Sequence, residues 1–435
     1  MLASSAPSGR DVLPRVRRRL IPFIFLCYVV AYIDRVNLGF AASAMQADLH
    51  LSDQVYGTGA GLFFLGYFLF EVPSNLIMER VGARRWLARI MIAWGIVSML
   101  MVIVAGKWSF YGMRVLLGLA ESGFFPGVIL YLTYWIPARE RARTGALFMM
   151  AGPVAILVGA PVSSPLLAMD GLLGLHGWQW LFLVEGLPAV ILGLIALMYL
   201  TDRPEVAMWL PKDDRDWLVA EMARDRAATG VRHLDLGASL RSRRVWILCF
   251  VYFLNTSVTY GIFLWLPKIM EAASGTHGLA LGAITAVPFV FALVAMVLVG
   301  ARADRTARPK QHVAACAVVA AIGLVMAAAS GQNLPLLLAS VTICQAAQRS
   351  IQAPFWALPP LFLGGTAAAA GFAMINAIGN LGGYAGPTMM GYLRQTTGGY
   401  GPGMLVLAAA LLVEAGVVIV ITIPPLAPRV QPAAQ

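Results

Sequence analysis

Several ionisable side chains lie inside stretches of this sequence that are otherwise apolar. The main cases are Asp34, Arg35, Arg114, Glu121 and Arg349. An ionisable group in an apolar environment is costly unless it faces a cavity or a partner, so each of them needs a role. A buried carboxyl group can bind and release a proton, and arginine offers a planar charged fork that binds a carboxylate bidentately. The indicated chemistry is proton exchange and anion binding.

The spacing of these residues limits which of them can share a neighbour. Arg114 and Glu121 are seven residues apart, so on a helix they share one face at about 10.5 Å of rise without touching. Asp34 and Arg35 are adjacent and point roughly 100° apart, so each can have a different neighbour. We expect Asp34 to pair with Arg114, and pure scaffolding by such pairs is the alternative to a functional role. Three further acids lie nearer the ends of apolar stretches or alone: Glu71, Glu185 and Glu414.

The elements that must position these charges are membrane-spanning helices. Hydrophobic residues make up 59% of the 435 positions and charged residues only 12%, which excludes a soluble multidomain protein. Stretches of about 20 apolar residues, each long enough to cross a bilayer as a helix, recur along the chain. The predicted fold is an all-α membrane protein of about twelve transmembrane helices in two six-helix bundles. The predicted spans are 20–43, 56–78, 86–106, 109–135, 144–168, 179–200, 245–268, 279–300, 312–330, 335–360, 367–392 and 403–424.

One long polar stretch divides the chain. It covers residues 201–244 and opens with Thr201-Asp202-Arg203-Pro204. We interpret it as a cytoplasmic linker between an N-terminal bundle (1–200) and a C-terminal bundle (245–435). An even split of this kind is typical of transporters built from two repeated halves.

The net charge of +11 reflects membrane topology. Of the 32 lysines and arginines, 26 lie in the two tails and in, or within one helical turn of, the loops on one predicted face, and three lie in or at the edge of the loops on the opposite face. This positive-inside pattern predicts that both termini are cytoplasmic. The pattern explains the charge through topology and anionic lipid, so no nucleic-acid partner is expected.

Two loops carry a related charge pattern at corresponding positions of the two halves. The first is Glu79–Arg85, between the second and third spans, and the second is Gly300–Arg305, between the eighth and ninth. Both resemble the loop signature of the major facilitator superfamily, although Glu79 replaces the usual aspartate. The resemblance implies gating loops that stabilise one state through helix dipoles and neighbouring arginines. The residues assigned to them are Glu79, Arg80, Arg84, Asp304 and Arg305.

A more specific motif, Tyr32–Ala41, resembles the anion:cation symporter family within that superfamily. The blocks Glu79–Trp86, Arg114–Pro126 and Gly365–Gly383 agree with it, so the resemblance covers both halves. The anion:cation symporter family includes bacterial permeases for tartrate, phthalate and sugar acids.

The resemblance also implies roles for individual residues. It assigns proton coupling to Asp34 and Glu121, with Arg114 modulating these acids, while Arg35 is our candidate for the substrate carboxylate. It further implies that four polar or aromatic side chains contact substrate hydroxyl groups. These are Tyr32, Tyr67, Trp356 and Asn376.

We therefore predict a proton-coupled symporter of the bacterial inner membrane that imports a small organic anion by alternating access around a midplane site between the halves. The substrate is a hydroxy-dicarboxylate such as tartrate, a sugar acid or an aromatic carboxylate. The proton gradient drives transport, no cofactor or metal is needed, and a monomer is expected.

Three alternatives remain beside the symporter. An efflux antiporter is disfavoured because Gly152–Gly159 lacks the dense Gly-Pro pattern of such proteins. A membrane enzyme is disfavoured because the five histidines lie in loops or at a span edge and the four cysteines show no ligand spacing. A membrane sensor that does not transport would look the same in sequence.

Overall fold

The computed structural model describes residues 9–229, 241–306, 308–362 and 365–422, and within these ranges it contains helices but no strand. Ten stretches of helix among them are long and apolar enough to cross a membrane. The principal helices, in chain order, are α1 (Gly9–Asp48), α2 (Asp53–Val81), α3 (Ala83–Met99), α4 (Lys107–Glu121), α5 (Phe124–Trp135), α6 (Ala138–Met149), α7 (Ala151–Leu167), α8 (Gly177–Tyr199), α9 (Lys212–Thr229), α10 (Arg243–Phe263), α11 (Leu266–Ser274), α12 (Gly278–Thr306), α13 (Pro309–Ala329), α14 (Leu334–Ser350), α15 (Gln352–Trp356), α16 (Gly365–Asn380), α17 (Gly382–Thr397) and α18 (Gly401–Val420).

The chain divides into two compact units. The first comprises Met1–Val231 and Phe263–Ala286, and the second comprises Arg232–Ile262 and Val287–Gln435. The segment Phe263–Ala286 belongs to the first unit because polar side chains fix it to α1 and α2. The Lys268 ammonium lies 2.5 Å from Asp53 Oδ1 and also donates to Gln46.

The predicted fourth span, 109–135, is two helices rather than one. A break at Ser122 and Gly123 separates α4 from α5, and Gly123 has a φ of +84° that favours glycine. A β-carbon on Gly123 would lie 2.2 Å from the Ser74 hydroxyl oxygen. That hydroxyl donates to the Ser122 carbonyl at 2.9 Å and accepts from the Trp86 indole at 3.0 Å. The break leaves Glu121 as the last residue of α4.

Glycines bring the helices that carry the buried charges close together. A β-carbon on Gly118 of α4 would lie 2.0 Å from the carbonyl oxygen of Phe63 on α2, so the two backbones are in contact there. In the second unit, a β-carbon on Gly386 would lie 2.0 Å from the carbonyl oxygen of Ser257. Small residues at such positions allow the backbones of membrane helices to approach closely.

The polar stretch after α8 is partly folded onto the first unit. Its helix α9 forms ion pairs from Glu221 to Arg139 at 2.9 Å and from Asp225 to Arg141 at 3.1 Å. Asp214 of the same helix pairs with Arg15 of α1. The first part of the predicted linker is therefore attached to the helices around it by a network of charges.

Two predicted spans of the second unit are also interrupted. The span 335–360 becomes α14, which ends at Ser350, followed by the short helix α15. The span 367–392 becomes α16 and α17, which meet at Leu381. Proline and glycine residues at these points account for the breaks, since proline cannot donate a helical hydrogen bond and glycine is a poor helix former.

Candidate functional site

The first unit contains an ion pair between two side chains that the sequence singled out. Arg35 of α1 donates from Nε to Glu121 Oε1 at 2.8 Å, and one of its terminal nitrogens donates to the same oxygen. The Glu121 side chain is 1% exposed, whereas that of Arg35 is 14% exposed. The Glu121 side chain is therefore enclosed, whereas the Arg35 side chain is only partly buried.

Aromatic rings surround the Arg35 guanidinium. Its central carbon lies 5.5 Å from the ring centroids of Tyr32, Phe63 and Tyr67. The Phe63 ring also lies 5.1 Å from the Arg114 guanidinium carbon, so it stands against both cations. Aromatic faces favour a cation electrostatically without supplying a counter-charge that would neutralise it.

The expected pairing of Asp34 with Arg114 is wrong. Asp34 Oδ1 accepts from the Asn37 amide at 3.0 Å and from the Ser98 hydroxyl, and Arg114 forms no ion pair with it. Arg114 instead points along α2 and donates to the carbonyl oxygens of Gly59 and Ala60, at 3.4 Å each. It remains within electrostatic range of Asp34 and Glu121. Adjacent residues on α1 thus have different neighbours, as their directions require, but Arg35 rather than Asp34 reaches α4.

The sequence position of Glu185 suggested that it lies near a helix end or alone, and the structure shows otherwise. It lies inside α8, is buried, and accepts from the Ser163 hydroxyl of α7 at 2.6 Å. It also lies beside Asn37 and within electrostatic range of Asp34. Two acids, one amide and the hydroxyls of Ser98 and Ser163 thus form one buried polar cluster, which we call the α1–α8 cluster.

The second unit has a buried acid with amide partners. Glu414 of α18 is fully buried and accepts from the Asn255 amide at 3.2 and 3.4 Å through its two oxygens. Asn255 Oδ1 in turn accepts from Gln348 at 3.4 Å and from Gln352 at 3.5 Å. Among the described residues, no lysine or arginine lies within ion-pair distance of Glu414.

Trp356 and Asn376, the other predicted substrate contacts, lie in the second unit. The Trp356 ring stacks on Phe372 with centroids 5.4 Å apart and meets Tyr252 edge-on at 5.1 Å. Asn376 is a half-buried residue of α16. Arg349 lies in the same unit, with its guanidinium carbon 5.8 Å from the centroid of the Phe289 ring.

The first predicted gating loop is tied to a residue of the polar stretch. Glu79 and Arg80 are exposed at the end of α2, and the backbone amide of Arg84 donates to Asp202 Oδ1 at 2.8 Å. Asp202 therefore caps the N-terminus of α3, where an acidic group is favoured by the helix dipole. In the second loop Arg305 is exposed, and the side chain of Asp304 lies outside the described residues.

Sequence reasoning missed several residues of these clusters. Asn37 follows Asp34 by three residues on one helix face, a spacing that could have identified it. Ser98, Ser163 and Asn255 carried no comparable signal, because their partners lie on other helices. In the part of the chain that the structure describes, no three potential metal ligands come together, and all four cysteines are free and buried.

Comparisons with known proteins extend these observations. A family model described as Major Facilitator Superfamily matches residues 24–387 of the chain. A protein of Agrobacterium vitis named "Putative tartrate transporter" is 49% identical over 411 residues, which cover 94% of this chain and 94% of its own length. A "Quinolone resistance transporter" of Acinetobacter baumannii is 40% identical over 405 residues, or 93% of each protein.

Solved structures share the fold at low sequence identity. A bacterial homologue of the human lysosomal transporter Spinster, in an inward-facing and occupied conformation, matches with a TM-score of 0.75 at 16% identity. The match covers 93% of this chain and 96% of that one. A D-xylose–proton symporter matches with a TM-score of 0.72 at 15% identity, over 92% of this chain and 97% of its own.

Proposed function

The chain belongs to the major facilitator superfamily, and from that premise we propose that it is a proton-coupled symporter that imports a small organic anion. It is a multi-pass membrane transporter of small molecules. The proposal adds the coupling ion, the substrate class and the direction. It includes an inner-membrane location with cytoplasmic termini, and two bundles, 1–200 and 245–435, joined by the linker 201–244.

The observation that carries the proposal is the ion pair between Arg35 and Glu121. Both hydrogen bonds go to one carboxylate oxygen of Glu121, and the Arg35 side chain is 14% exposed. A substrate carboxylate needs the same planar donors, so it competes with Glu121 for Arg35. Protonation of Glu121 removes its charge and weakens its hold on the arginine. Proton binding and substrate binding then favour each other, which is the requirement for symport.

The other charges complete the scheme. Asp34 is the second proton-binding acid, and Arg114 modulates both acids through its charge. Release at the other side reverses the steps: the substrate leaves Arg35, Glu121 loses its proton, and the ion pair forms again. The proposed gating loops, with Glu79, Arg80 and Arg84 in one and Asp304 and Arg305 in the other, hold the alternating states.

The favoured substrate class is a hydroxylated dicarboxylate. The Agrobacterium vitis relatives carry tartrate in their names, and they match this chain over nearly its whole length. The rings of Tyr32 and Tyr67 lie beside the Arg35 guanidinium, and their hydroxyl groups are the proposed contacts for a substrate hydroxyl. Trp356 and Asn376 are the proposed contacts from the second unit. The carboxylate of a sugar acid or of an aromatic acid would bind to Arg35 in the same way.

The direct test is transport by purified protein in proteoliposomes. Labelled tartrate should accumulate against its gradient when the outside is acidic, and the accumulation should collapse when a proton ionophore is added. A thermal-shift screen of carboxylates comes first, because a ligand that binds the folded state raises its stability. If no carboxylate stabilises the protein and none accumulates, the symporter proposal is wrong.

A second candidate function is efflux by proton antiport. It is favoured by the relative from Acinetobacter baumannii that is named for quinolone resistance. The same vesicles distinguish the two functions. An antiporter moves its substrate against an inward proton flow, so an acidic exterior would drive a quinolone out of the vesicles instead of driving an anion in.

A further inference from the structure

The α1–α8 cluster has two carboxyl groups, and no cation among the described residues is bonded to either. Asp34 and Glu185 are both buried, and neither lies within ion-pair distance of a described lysine or arginine. The single amide of Asn37 serves both, since it donates to Asp34 and lies beside Glu185. Two negative charges sharing one neutral donor in a membrane interior repel each other and are poorly solvated.

The hydrogen bonds of the cluster are also incomplete when both acids are ionised. Three buried oxygens, Asp34 Oδ2, Asn37 Oδ1 and Glu185 Oε2, have no donor among the described residues. A buried polar atom without a partner is destabilising. One proton added to the cluster removes one of the two charges and supplies a new donor.

The neighbours decide which acid holds that proton. Asp34 accepts from Ser98 and Asn37, so two donors stabilise its charged form, and it has the acid Glu121 as well as the cation Arg114 within electrostatic range. Glu185 accepts from the Ser163 hydroxyl at 2.6 Å, lies beside the shared amide of Asn37, and has the acid Asp34 as its charged neighbour. The charged form is therefore stabilised better at Asp34 than at Glu185.

We propose that Glu185 is a third proton-binding residue, held protonated beside the carboxylate of Asp34 and linked to it through Asn37. This inference rests on the proposed coupling role of Asp34 and extends it. The proton on Glu185 leaves Asp34 as the charged acid of the cluster, and Asp34 can gain a second proton during transport. Glu185 lies outside the Arg35–Glu121 pair and does not contact its members through any described hydrogen bond.

Infrared spectroscopy of the purified protein in nanodiscs tests the inference without transport, because the carbonyl band of a protonated carboxyl group is separate from carboxylate bands. At alkaline pH the wild type should show such a band, and Glu185→Gln should lose one component of it. Ser163→Ala should move that component to higher frequency, because the hydroxyl bonded to the carboxyl group is gone. Asp34→Asn should also shift it.

Glu414→Gln is the matched control, since it removes a buried acid of the second unit and should leave the Glu185 component in place. A spectrum unchanged by both Glu185→Gln and Ser163→Ala would overturn the inference. If Glu185→Gln does not fold, the frequency shift in Ser163→Ala decides the question. If the wild type shows this band but no proton-driven uptake, the proposed symport is wrong and the inference about Glu185 stands. If the wild type shows proton-driven uptake but lacks the band, the inference about Glu185 is wrong and the proposed symport stands.

Discussion

Glu121 of the first unit and Glu414 of the second are both completely enclosed acids on membrane-spanning helices, but they have different partners. Glu121 is bonded to the guanidinium of the partly exposed Arg35, whereas Glu414 is bonded to the amide of Asn255. An ion pair with an accessible cation can be exchanged for another anion. The hydrogen bond of Glu414 to Asn255, whose side-chain oxygen accepts from Gln348 and Gln352, offers no cation to a second anion. The two acids are therefore equally buried, and the kind of partner distinguishes them.

The energetic consequences of changing the two acids differ for the same reason. Removing one member of a buried ion pair leaves an uncompensated charge, which destabilises a protein by about 3–5 kcal/mol. Removing one member of a neutral hydrogen bond leaves a polar group unsatisfied, at about 1–3 kcal/mol. Substitutions in the two units can therefore separate coupling from scaffolding.

The largest effect is expected from Arg35→Lys. A lysine keeps the charge but cannot form the planar fork, so at least one charge-assisted hydrogen bond to the substrate carboxylate is lost. At about 2–3 kcal/mol for such a bond, uptake should fall by about 100-fold. Initial rates of tartrate uptake in proteoliposomes, normalised to incorporated protein, measure this. Rates within about twofold of the wild type would remove Arg35 from substrate binding.

The next effect is expected from Glu121→Gln, which imitates the protonated acid. The variant should bind substrate and exchange labelled for unlabelled substrate, but it should not accumulate substrate. With the membrane potential held at zero, a pH difference of one unit supports about tenfold accumulation per coupled proton, and this factor should disappear. Accumulation under a pH gradient and counterflow without one are the paired assays. Loss of folding, binding and counterflow together would instead indicate that Glu121 is only a structural partner of Arg35.

A smaller effect is expected from Glu414→Gln, the equivalent change in the second unit. Glutamine can keep a hydrogen bond to Asn255, so gradient-driven uptake should stay within about threefold of the wild type. Glu414→Ala is the matched variant that removes the bond, and it should lower the melting temperature without uncoupling transport. If Glu414→Gln abolishes accumulation while sparing counterflow, the contrast between the two units is wrong.

The smallest effect is expected away from Glu121, Glu414 and their partners, at the N-terminal cap of α3. Asp202→Ala removes the acceptor for the Arg84 amide and should destabilise the protein by about 1 kcal/mol. The melting temperature should fall by no more than about 2–4 °C. Asp202→Asn retains a capping oxygen and should be close to the wild type. A large drop in uptake for Asp202→Ala, with normal stability, would show that this end of the first unit controls the transport cycle.

Several expectations from the sequence are confirmed. The family, the all-helical membrane fold and the transport of small molecules without a cofactor all agree with the family match and the relatives. These properties follow from local features: apolar stretches of fixed length and short motifs such as Tyr32–Ala41. The roles of the site residues, the proton and the substrate stay predictions.

The sequence by itself determined that Asp34, Arg35, Arg114 and Glu121 must lie in the membrane interior and that they need partners. Only the tertiary structure decided that Arg35 takes Glu121, that Arg114 takes backbone carbonyls, and that Glu185 joins Asp34. The physical reason is helix geometry. Spacing along one helix fixes which residues share its face, but each residue advances about 1.5 Å and turns about 100°, so a small shift or rotation between packed helices changes which charges meet.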